Sequence, residues 1–598
     1  MSKSNGLTHR LMIAASFGVI AAASAGLPEA ARAQAQAQAV STPTAPDLAI
    51  TVPAMSMAEA LEAIAAQSGQ RIDYDPDAVR SLVSQPVAGA RSVREAIDAA
   101  VGGTDLAVMS DGNGGFSVVN AIVVRARRDE AETSLLVRQA STSDRNGLSL
   151  REQPRNTQII SAKAIDEQQA LDIAEVLRNA GGVSVQTNNP NTGANYTVRG
   201  FSAAGLVNGL AGGSQYGVAS GANQPIANIE RVEILKGPDA LVAGFGNLGG
   251  NVNVVTRKPS ADRRVSASFD TGSFGLVRGV LDVNGAISSD RKLSGRLIQS
   301  AQNMDRNYGG YTGNEDYLIA PSLRFKDART DFLIGASFSK AISGIGAYTL
   351  FDNRTREIIE RDPSVPIYSP DQGIRVRTDR YYFDLTREII PGLEFVARGL
   401  HDENDLKLQV YQLGYNRAGL RTIGVGGSQQ QGKSDALDAF LRMEKTFGGA
   451  VTLRLNAGYN YSDGFTEQRS SRTFTVVNNP PLGENTTLPV IPFSPLGPVQ
   501  FRTEGSQEGI YGQALVEFWR VKLLGGVRKN WFSTKASFFF PGAQPQDPQE
   551  REGTSPSAGI IFDATDTLSI FANYSRGVQA IFNLDRDGNF LPNITTTN

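Results

Sequence analysis

The 598 residues include no cysteine and only two histidines, His9 and His401. The first absence excludes disulfide frameworks, thiolate nucleophiles and zinc–thiolate sites. The second leaves a histidine-built metal centre without ligands, because His9 falls in a segment expected to be removed. Charge of one sign is not concentrated anywhere: 58 Lys and Arg face 60 Asp and Glu, scattered along the chain, so there is no nucleic-acid footprint. Carboxylates remain as possible catalytic groups, but none stands in a recognisable active-site motif, so no enzyme is expected. Beyond the first 25 residues no apolar run approaches the roughly 20 that a membrane helix needs. Any insertion into a membrane must therefore be by strands. Glycine is plentiful, with 62 residues, as suits a chain with many turns and close-packed strands. A chain of this length must hold several domains.

Its start is an address. Lys3, His9 and Arg10 precede the apolar stretch Leu11 to Ala25, and Ala31-Arg-Ala33 stands just before Gln34. This is the pattern of a cleaved secretory signal over 1–33, and 34–46 reads as a polar linker. A small αβ module is expected over 47–119. Leu48 to Val52 is its first strand. Met57 to Gln67 is a helix, with Ala60, Leu61, Ile64 and Ala65 on one face and Gly69 as its stop. A second strand starts at Ile72-Asp-Tyr74, and a second helix covers Val93 to Val101. Leu106 to Met109 and Phe116 to Val119 form a hairpin across Asp111 to Gly115. Two helices on a small sheet is the expected result.

From Arg264 onward the residues alternate strictly. In Thr452 to Ser462, Leu453, Leu455, Ala457, Tyr459 and Tyr461 share one face, while Arg454, Asn456, Gly458, Asn460 and Ser462 share the other. Leu437, Ala439, Leu441 and Met443 oppose Asp438, Arg442 and Glu444 in the same way; Leu568, Ile570, Ala572 and Tyr574 oppose Ser569, Asn573 and Ser575. One face suits lipid and the other water. The connections alternate too. Short turns at Ser289 to Lys292, Asp327 to Arg329, Pro391-Gly392, Gly448 to Ala450, Trp519-Arg520 and Asp563 to Thr565 are separated by longer excursions. Those lie around Asp305 to Glu315, Ala341 to Arg377, Asn404 to Lys433, Gly464 to Gln507 and Phe540 to Gly553. Short turns on one side and long loops on the other is the layout of outer-membrane barrels.

Two motifs point further. As a strand, Ile229-Glu-Arg-Val-Glu-Ile-Leu-Lys-Gly-Pro238 carries charge on both faces: Arg231 and Glu233 on one, Glu230 and Lys236 on the other. That suits a polar enclosure better than an ordinary sandwich. With Gly249 to Pro259 it resembles the end of the plug domain of TonB-dependent outer-membrane receptors, especially those for siderophores. Tyr196-Thr-Val-Arg-Gly-Phe201 is similar to the family's central plug strand, and Asn208-Gly209 keeps the turn chemistry of its usual Asp-Gly. The resemblance implies a mainly β fold: an antiparallel transmembrane β-barrel over 260–598, an αβ plug over 149–259 inside it, and a TonB box and tether over 120–148. The box would be Ile122, Val123 and Val124, an exposed β-prone run able to add a strand to a partner's sheet, though Asn120, Ala121 and Arg125-Ala126 depart from the family pattern. Ile50-Thr-Val-Pro53 and Gln67-Ser-Gly69 resemble the signalling domain shared by secretins and transducer-type receptors, which places 47–119 in the periplasm.

Counting gives about 13 strands where plugged transporters use about 22. An odd count does not bring both ends of a barrel to one side, and Ile594 to Asn598 lacks the family's terminal aromatic. A truncated gene model or fragment of a longer receptor is therefore expected. The implied function is TonB-dependent uptake of a ferric siderophore, coupled to surface signalling that regulates iron-uptake genes. The implied partners are the TonB–ExbB–ExbD complex, an inner-membrane anti-sigma regulator, the ferric siderophore and outer-membrane lipid; no nucleic acid, resident metal or cofactor is expected. The plug residues in question are Arg199, Gly200, Asn208, Gly209, Glu230, Arg231, Glu233, Lys236, Gly237 and Pro238. Tyr308, Tyr311, Tyr348, Tyr411, Tyr415 and Arg417 in the loops could grip an aromatic, anionic chelate. A receptor for haem, cobalamin or a glycan, or a non-transporting fragment, remains the alternative, and haem suits poorly because the loops lack a placed histidine.

Overall fold

The structure, a computed structural model, describes residues 50–598 apart from 75, 81, 91, 103, 105, 111–115, 121–129, 139–144, 190–192, 212–224, 238–247, 345–348, 353–354, 371, 416–420, 449–450, 477–486, 489, 545, 566–567, 580–592 and 598. The signal and linker expected over 1–46 thus lie outside the described residues. The rest forms two compact units that divide between Glu130 and Ala131.

The first unit runs β1 (Ile50–Val52), α1 (Met57–Ser68), β2 (Ile72–Tyr74), α2 (Pro76–Val79), β3 (Val87–Ala90), α3 (Val93–Ala100), β4 (Leu106–Ser110) and β5 (Phe116–Asn120). Helix α1 starts where the Ser56 hydroxyl accepts the Glu59 N–H and donates to the Glu59 carboxylate, which satisfies donors the helix cannot pair itself. It stops at Gly69, which adopts φ 68° and returns its N–H to the Ala65 carbonyl, a left-handed cap that glycine takes without strain. Met57, Ala60, Leu61 and Ile64 are fully buried and share one core with Ala96 and Ile97 of α3. The expected helices and strands are present, but the single sheet is two. β1 pairs with β3, while β2, β5 and β4 form a second sheet in which β2 and β5 are parallel. Strand β3 was illegible because Val-Ala-Gly-Ala holds one β-branched residue, and its Gly89 has φ 64°.

The second unit begins with α4 (Glu130–Thr133) at the junction, then β6 (Asn156–Ser161), α5 (Ala162–Glu167), α6 (Ile173–Arg178), β7 (Val183–Asn189), β8 (Gly193–Val198), β9 (Phe201–Ser202), β10 (Ala204–Val207), β11 (Leu210–Ala211), β12 (Ile229–Lys236) and β13 (Gly250–Thr256). Their main sheet has the order β11-β10-β13-β12-β6. Strand β12 is flanked on both sides, and Ile229 to Leu235 are all buried. Val232, Ile234, Val252 and Val254 pack under Ile173, Val176 and Leu177 of α6.

Around this plug runs a fourteen-stranded antiparallel sheet. Its strands are β14 (Arg264–Gly272), β15 (Leu276–Ala286), β16 (Leu293–Asn303), β17 (Glu315–Lys326) and β18 (Thr330–Gly344), then, after a small hairpin of β19 (Leu350–Asp352) and β20 (Glu357–Ile359), β21 (Gly373–Ile390), β22 (Leu393–Tyr415), β23 (Arg421–Phe447), β24 (Val451–Val476), β25 (Phe501–Phe518), β26 (Val521–Phe538), β27 (Gln549–Asp563), β28 (Ser569–Gln579) and β29 (Ile594–Thr597). Residues of the inner segment meet wall strands far apart in this order. Arg257 reaches Asp282 of β15 at 3.5 Å, Lys258 reaches Asp384 of β21 at 3.5 Å, and Arg151 donates to Ser569 of β28 at 2.9 Å. A sheet that touches one compact body from its second to its thirteenth strand must curve around it.

Three expectations need correction. Among the described residues the count is fourteen, so the argument from an odd number fails; the added strand is Ile594 to Thr597, which pairs with Arg576 to Gln579. The excursion Asn404 to Lys433 is mostly strand, and Gly464 to Gln507 is strand at both ends: β22, β23 and β24 run for 23, 27 and 26 residues. About ten residues cross a bilayer, so these strands continue well past the apolar band. In β23, Gly426 to Lys433 is polar on both faces, so no alternation marks it; on β22, Leu406 and Leu408 alternate with Lys407 and Gln409 and pack on Ile374 and Val376 of β21. Finally, the polar face of the wall is not simply wet. Asp438 is 2% exposed and Asn456 4%, whereas Leu437 and Leu441 on the opposite face are 39% and 46% exposed.

One glycine tests the plug. Gly250 opens β13 at φ 129°, and a Cβ there would overlap the Leu235 carbonyl across the β12–β13 pair. Backbone strain of roughly 1–3 kcal/mol adds to that clash. Gly250→Ala should make the plug sensitive to added protease while the β signal in circular dichroism persists; an equally resistant plug would contradict this packing.

Candidate functional site

The charged motif folds into one internal network. Arg231 Nε donates to Glu233 Oε1 at 2.9 Å, and its Nη1 pairs with Glu230. The second Glu233 oxygen accepts from Asn253 Nδ2 at 3.1 Å, and Asn253 Oδ1 accepts the Gly209 N–H at 2.9 Å. Asn208 accepts the Thr256 N–H at 3.0 Å and donates to the Thr256 hydroxyl at 3.0 Å. Glu230, Arg231 and Glu233 are all nine-tenths buried or more, a state charges hold only when paired and hydrogen-bonded. The motif therefore ties the β10–β11 turn to the central strands and makes the plug one rigid body.

Both short motifs are two-residue hairpins with positive φ at each central residue. Asn208 and Gly209 have φ 51° and 82°, and Arg199 and Gly200 have φ 53° and 84°, the mirror-image turn that suits strand twist. For Arg199-Gly200 this corrects the reading of a continuous strand from Tyr196 to Phe201: β8 ends at Val198 and β9 returns beside it, with Val198 opposite Phe201. An arginine held left-handed is a local strain of the kind that gathers at functional positions.

Arg199 shares its neighbourhood with Lys236. β13 leads within a few residues into β14, whose first residue Arg264 pairs with Asn284 near the short turn at 289–292. β12 runs antiparallel to β13 with Lys236 opposite Gly250, so Lys236 lies at the end of the plug that faces the long loops. Its Nζ donates to Gln158 Oε1 at 2.9 Å. Burial, and secondarily the Arg199 charge, hold the Lys236 ammonium below its ordinary value. Arg199 itself is exposed, and Phe201 beside it is 48% exposed. This end of the plug thus offers two cations and an aromatic ring. Gly237 continues from Lys236 at φ 109°, its N–H on the Gly249 carbonyl at 2.9 Å. Pro238 and the Gly/Ser/Ala-rich 212–224 lie outside the described residues.

The loop aromatics divide. Tyr311 is fully buried, and its hydroxyl accepts the Ile367 N–H at 3.0 Å. Tyr411, 6% exposed, donates to the Ile491 carbonyl at 2.8 Å and stacks on Tyr368 with ring centroids 5.8 Å apart. The Tyr368 phenol, pushed up to about 12 by burial, accepts the Leu413 N–H at 3.1 Å. With Leu350, Ile423, Val425 and Leu488 these rings form a core that joins the long loops. Tyr311 and Tyr411 therefore hold loops together rather than present themselves to a ligand, which corrects their place among the candidate contacts. Tyr308 is 58% exposed. Tyr348, Arg417 and the side chain of Tyr415 lie outside the described residues, as do Ile122, Val123 and Val124.

Sequence reasoning missed Glu132. Its carboxylate, 4% exposed, pairs with Arg264, with Arg296 at 2.7 Å and with Arg257 at 3.7 Å. Burial pushes this carboxyl up, but Arg296, Arg257 and Arg264 outweigh burial and hold it below its ordinary value. A single glutamate in a charged, poorly periodic stretch carries no signal of such a site. Among the described residues no group of histidine, aspartate and glutamate is placed to hold a metal ion.

Comparison with known proteins adds an independent line. Residues 149–251 match the TonB-dependent receptor plug domain, and residues 299–595 match the TonB-dependent receptor-like β-barrel. The chain is 22% identical over 584 residues to the ferric-pyoverdine 358 receptor of Pseudomonas putida, an alignment covering 90% of this chain and 69% of that protein. A second ferric-pyoverdine receptor, from a Pseudomonas strain, is 24% identical over 566 residues, covering 88% and 67%. The crystal structure of the ferripyoverdine receptor of Pseudomonas aeruginosa bound to ferripyoverdine superposes with a TM-score of 0.69 at 21% identity, over 92% of this chain and 73% of that one. That likeness establishes the fold.

The buried triad generates a stability test. Arg231→Ala strands Glu230 and Glu233 in the plug and should destabilise it by about 3–5 kcal/mol. The triple change Arg231→Met, Glu230→Gln and Glu233→Gln should cost clearly less, because no charge is left unpaired. Protection of the plug from protease across a urea series reads both; equal losses would show that the charges do not act as a unit.

Proposed function

Because the chain belongs to the TonB-dependent receptors of the bacterial outer membrane, we propose that it takes up a ferric siderophore, drawing energy through TonB and the ExbB–ExbD complex. The observation that carries this reading is the cationic, partly aromatic end of the plug, where Arg199, Lys236 and Phe201 face the long loops. Ferric siderophores too large for porins are commonly anionic and aromatic, and such a surface attracts them by charge and stacking. The extended similarity to ferric-pyoverdine receptors supports the same ligand class. Ligand would settle between that end and the loops cemented by Tyr311, Tyr368 and Tyr411. TonB, engaging Ile122 to Val124 from the periplasm, would then pull the rigid plug aside against the wall.

The N-terminal unit supports a second output. It is compact on its own, with its own core, and its order of elements suits the signalling domain of transducer-type receptors. In this reading it passes an iron-status signal to an inner-membrane anti-sigma regulator, with 47–119 as signalling domain, 120–148 as TonB box and tether, 149–259 as plug and 260–598 as barrel.

Growth of a deletion strain on a panel of ferric siderophores tests the first output. The parent gene should rescue growth on at least one anionic chelate, and Arg199→Glu with Lys236→Glu should weaken its binding roughly ten- to hundredfold. If no chelate rescues, iron uptake is excluded. Removing residues 47–119 should leave uptake intact and abolish induction of a reporter for the iron-uptake genes; unchanged induction would exclude the signalling role.

A further inference from the structure

The tether is fastened to the barrel wall at two places of unequal strength. At the first, Glu132 enters a cluster in which Arg296 is already held by Asp282, through Nε at 2.9 Å and Nη2 at 2.6 Å, and by the Lys258 carbonyl at 3.0 Å. Arg257 also meets Asp282 at 3.5 Å and Asp166 at 3.8 Å. Arg264 is 42% exposed. If Glu132 departs, Arg296 and Arg257 keep carboxylate partners and Arg264 turns to water, so the clamp can open without burying a bare charge.

The second fastening has no such reserve. Arg145, 6% exposed, pairs with Asp438 of β23 at 3.1 Å and lies 4.4 Å over the Tyr511 ring, whose hydroxyl donates to Asp438 at 2.7 Å. Next to it Asn146 donates to Gln513 of β25 at 3.2 Å and accepts from Asn456 of β24 at 2.7 Å. Leu148 is buried against Leu515 and Leu524, and Arg151 donates to Ser569 and to the Thr565 carbonyl. Withdrawing Arg145 would leave the Asp438 carboxylate, 3% exposed, with the Tyr511 hydroxyl as its remaining partner among the described residues. Uncompensated buried charge is among the costliest local defects.

Both fastenings lie toward the short-turn end of the wall. The first sits on β14 and β16, the second on β23 to β25 and β28. A pull on the chain upstream of residue 131 meets them in that order. We propose that Glu132 is the releasable clamp of the tether and Arg145 its anchor, so that Glu132 sets how readily a pull passes from the wall to the plug. The proposal rests on the transport reading only for the source of the pull; the unequal fastening is a property of the resting protein.

The absence of cysteine from the 598 residues permits background-free thiol labelling of this chain in membranes, with no ligand present. Probe thiols are placed by Ser134→Cys beside the clamp and by Ser149→Cys beside the anchor. Adding Glu132→Gln should raise the labelling rate at position 134 about tenfold, the factor that one lost charge-assisted hydrogen bond is worth, and leave position 149 unchanged. Glu132→Lys should act likewise, and Arg264→Glu in the same chain should restore slow labelling, which local misfolding would not do. Equal labelling with and without Glu132, or a parallel rise at both positions, overturns the proposal. A transport readout follows once a rescuing chelate is known. Glu132→Cys with Arg264→Cys, joined by a short thiol cross-linker, should bind the chelate normally yet lose uptake. Normal uptake by the cross-linked protein overturns the role in force transfer without touching the ligand assignment.

Discussion

A strand wall in hydrocarbon leaves charged side chains one direction in which to point. Lipid cannot hydrogen-bond the backbone, so every wall strand must pair with its neighbours, and once paired its side chains alternate strictly between lipid and interior. Leu437, Leu441, Ile510, Leu523 and Ile570 go outward. Asp282, Arg296, Arg380, Asp402, Asp438 and Arg528 go inward and are buried there. The interior surface is therefore ionic by default, and whatever fills it must answer it charge for charge. Arg145, Arg151, Arg257 and Lys258 do so from the plug and its tether.

This constraint explains why the plug can be charged on both faces of a central strand and still be solid. Its apolar residues, Val232 and Ile234 with Val252 and Val254, are reserved for the helix side, and the remaining polar positions close on one another through Arg231 and Asn253. Cohesion inside the plug is thus dense and cooperative, whereas attachment to the wall combines separate ion pairs with smaller apolar contacts, such as Val207 and Leu210 against Leu333 and Leu400. A body held together more tightly than it is held in place can shift as a unit. The tether shows the same grading between residues 132 and 145, from the replaceable contacts of Glu132 to the buried pairing of Arg145 with Asp438.

Outside the membrane band a different principle takes over. The stretch Gly426 to Lys433 of β23 lacks apolar alternation and persists because the strand is hydrogen-bonded on both sides along a continuous register. The long loops are then stiffened by tyrosines whose rings pack and whose hydroxyls reach backbone groups. Tyr311 and Tyr411 illustrate how a residue type suited to gripping a ligand can be consumed by the architecture that would shape the ligand's site.

The sequence by itself determined the strand class, the side-chain parity, the short turns and one helix stop, because each is a local property: alternation at Leu453 to Ser462, Asn-Gly at 208–209, Gly69 at the end of one helix. The plug motif was legible for the same reason, since seven adjacent residues carry its charges. Only the tertiary structure decided what those charges meet. That Arg199 turns the chain instead of extending it, that Tyr411 is loop core, that polar strands run on past the bilayer, and that Glu132 docks among three arginines distant in sequence all depend on which segments the curved sheet brings together. Spacing along the chain carries no record of such encounters, because partners more than a hundred residues apart become neighbours only when the wall curves around its plug.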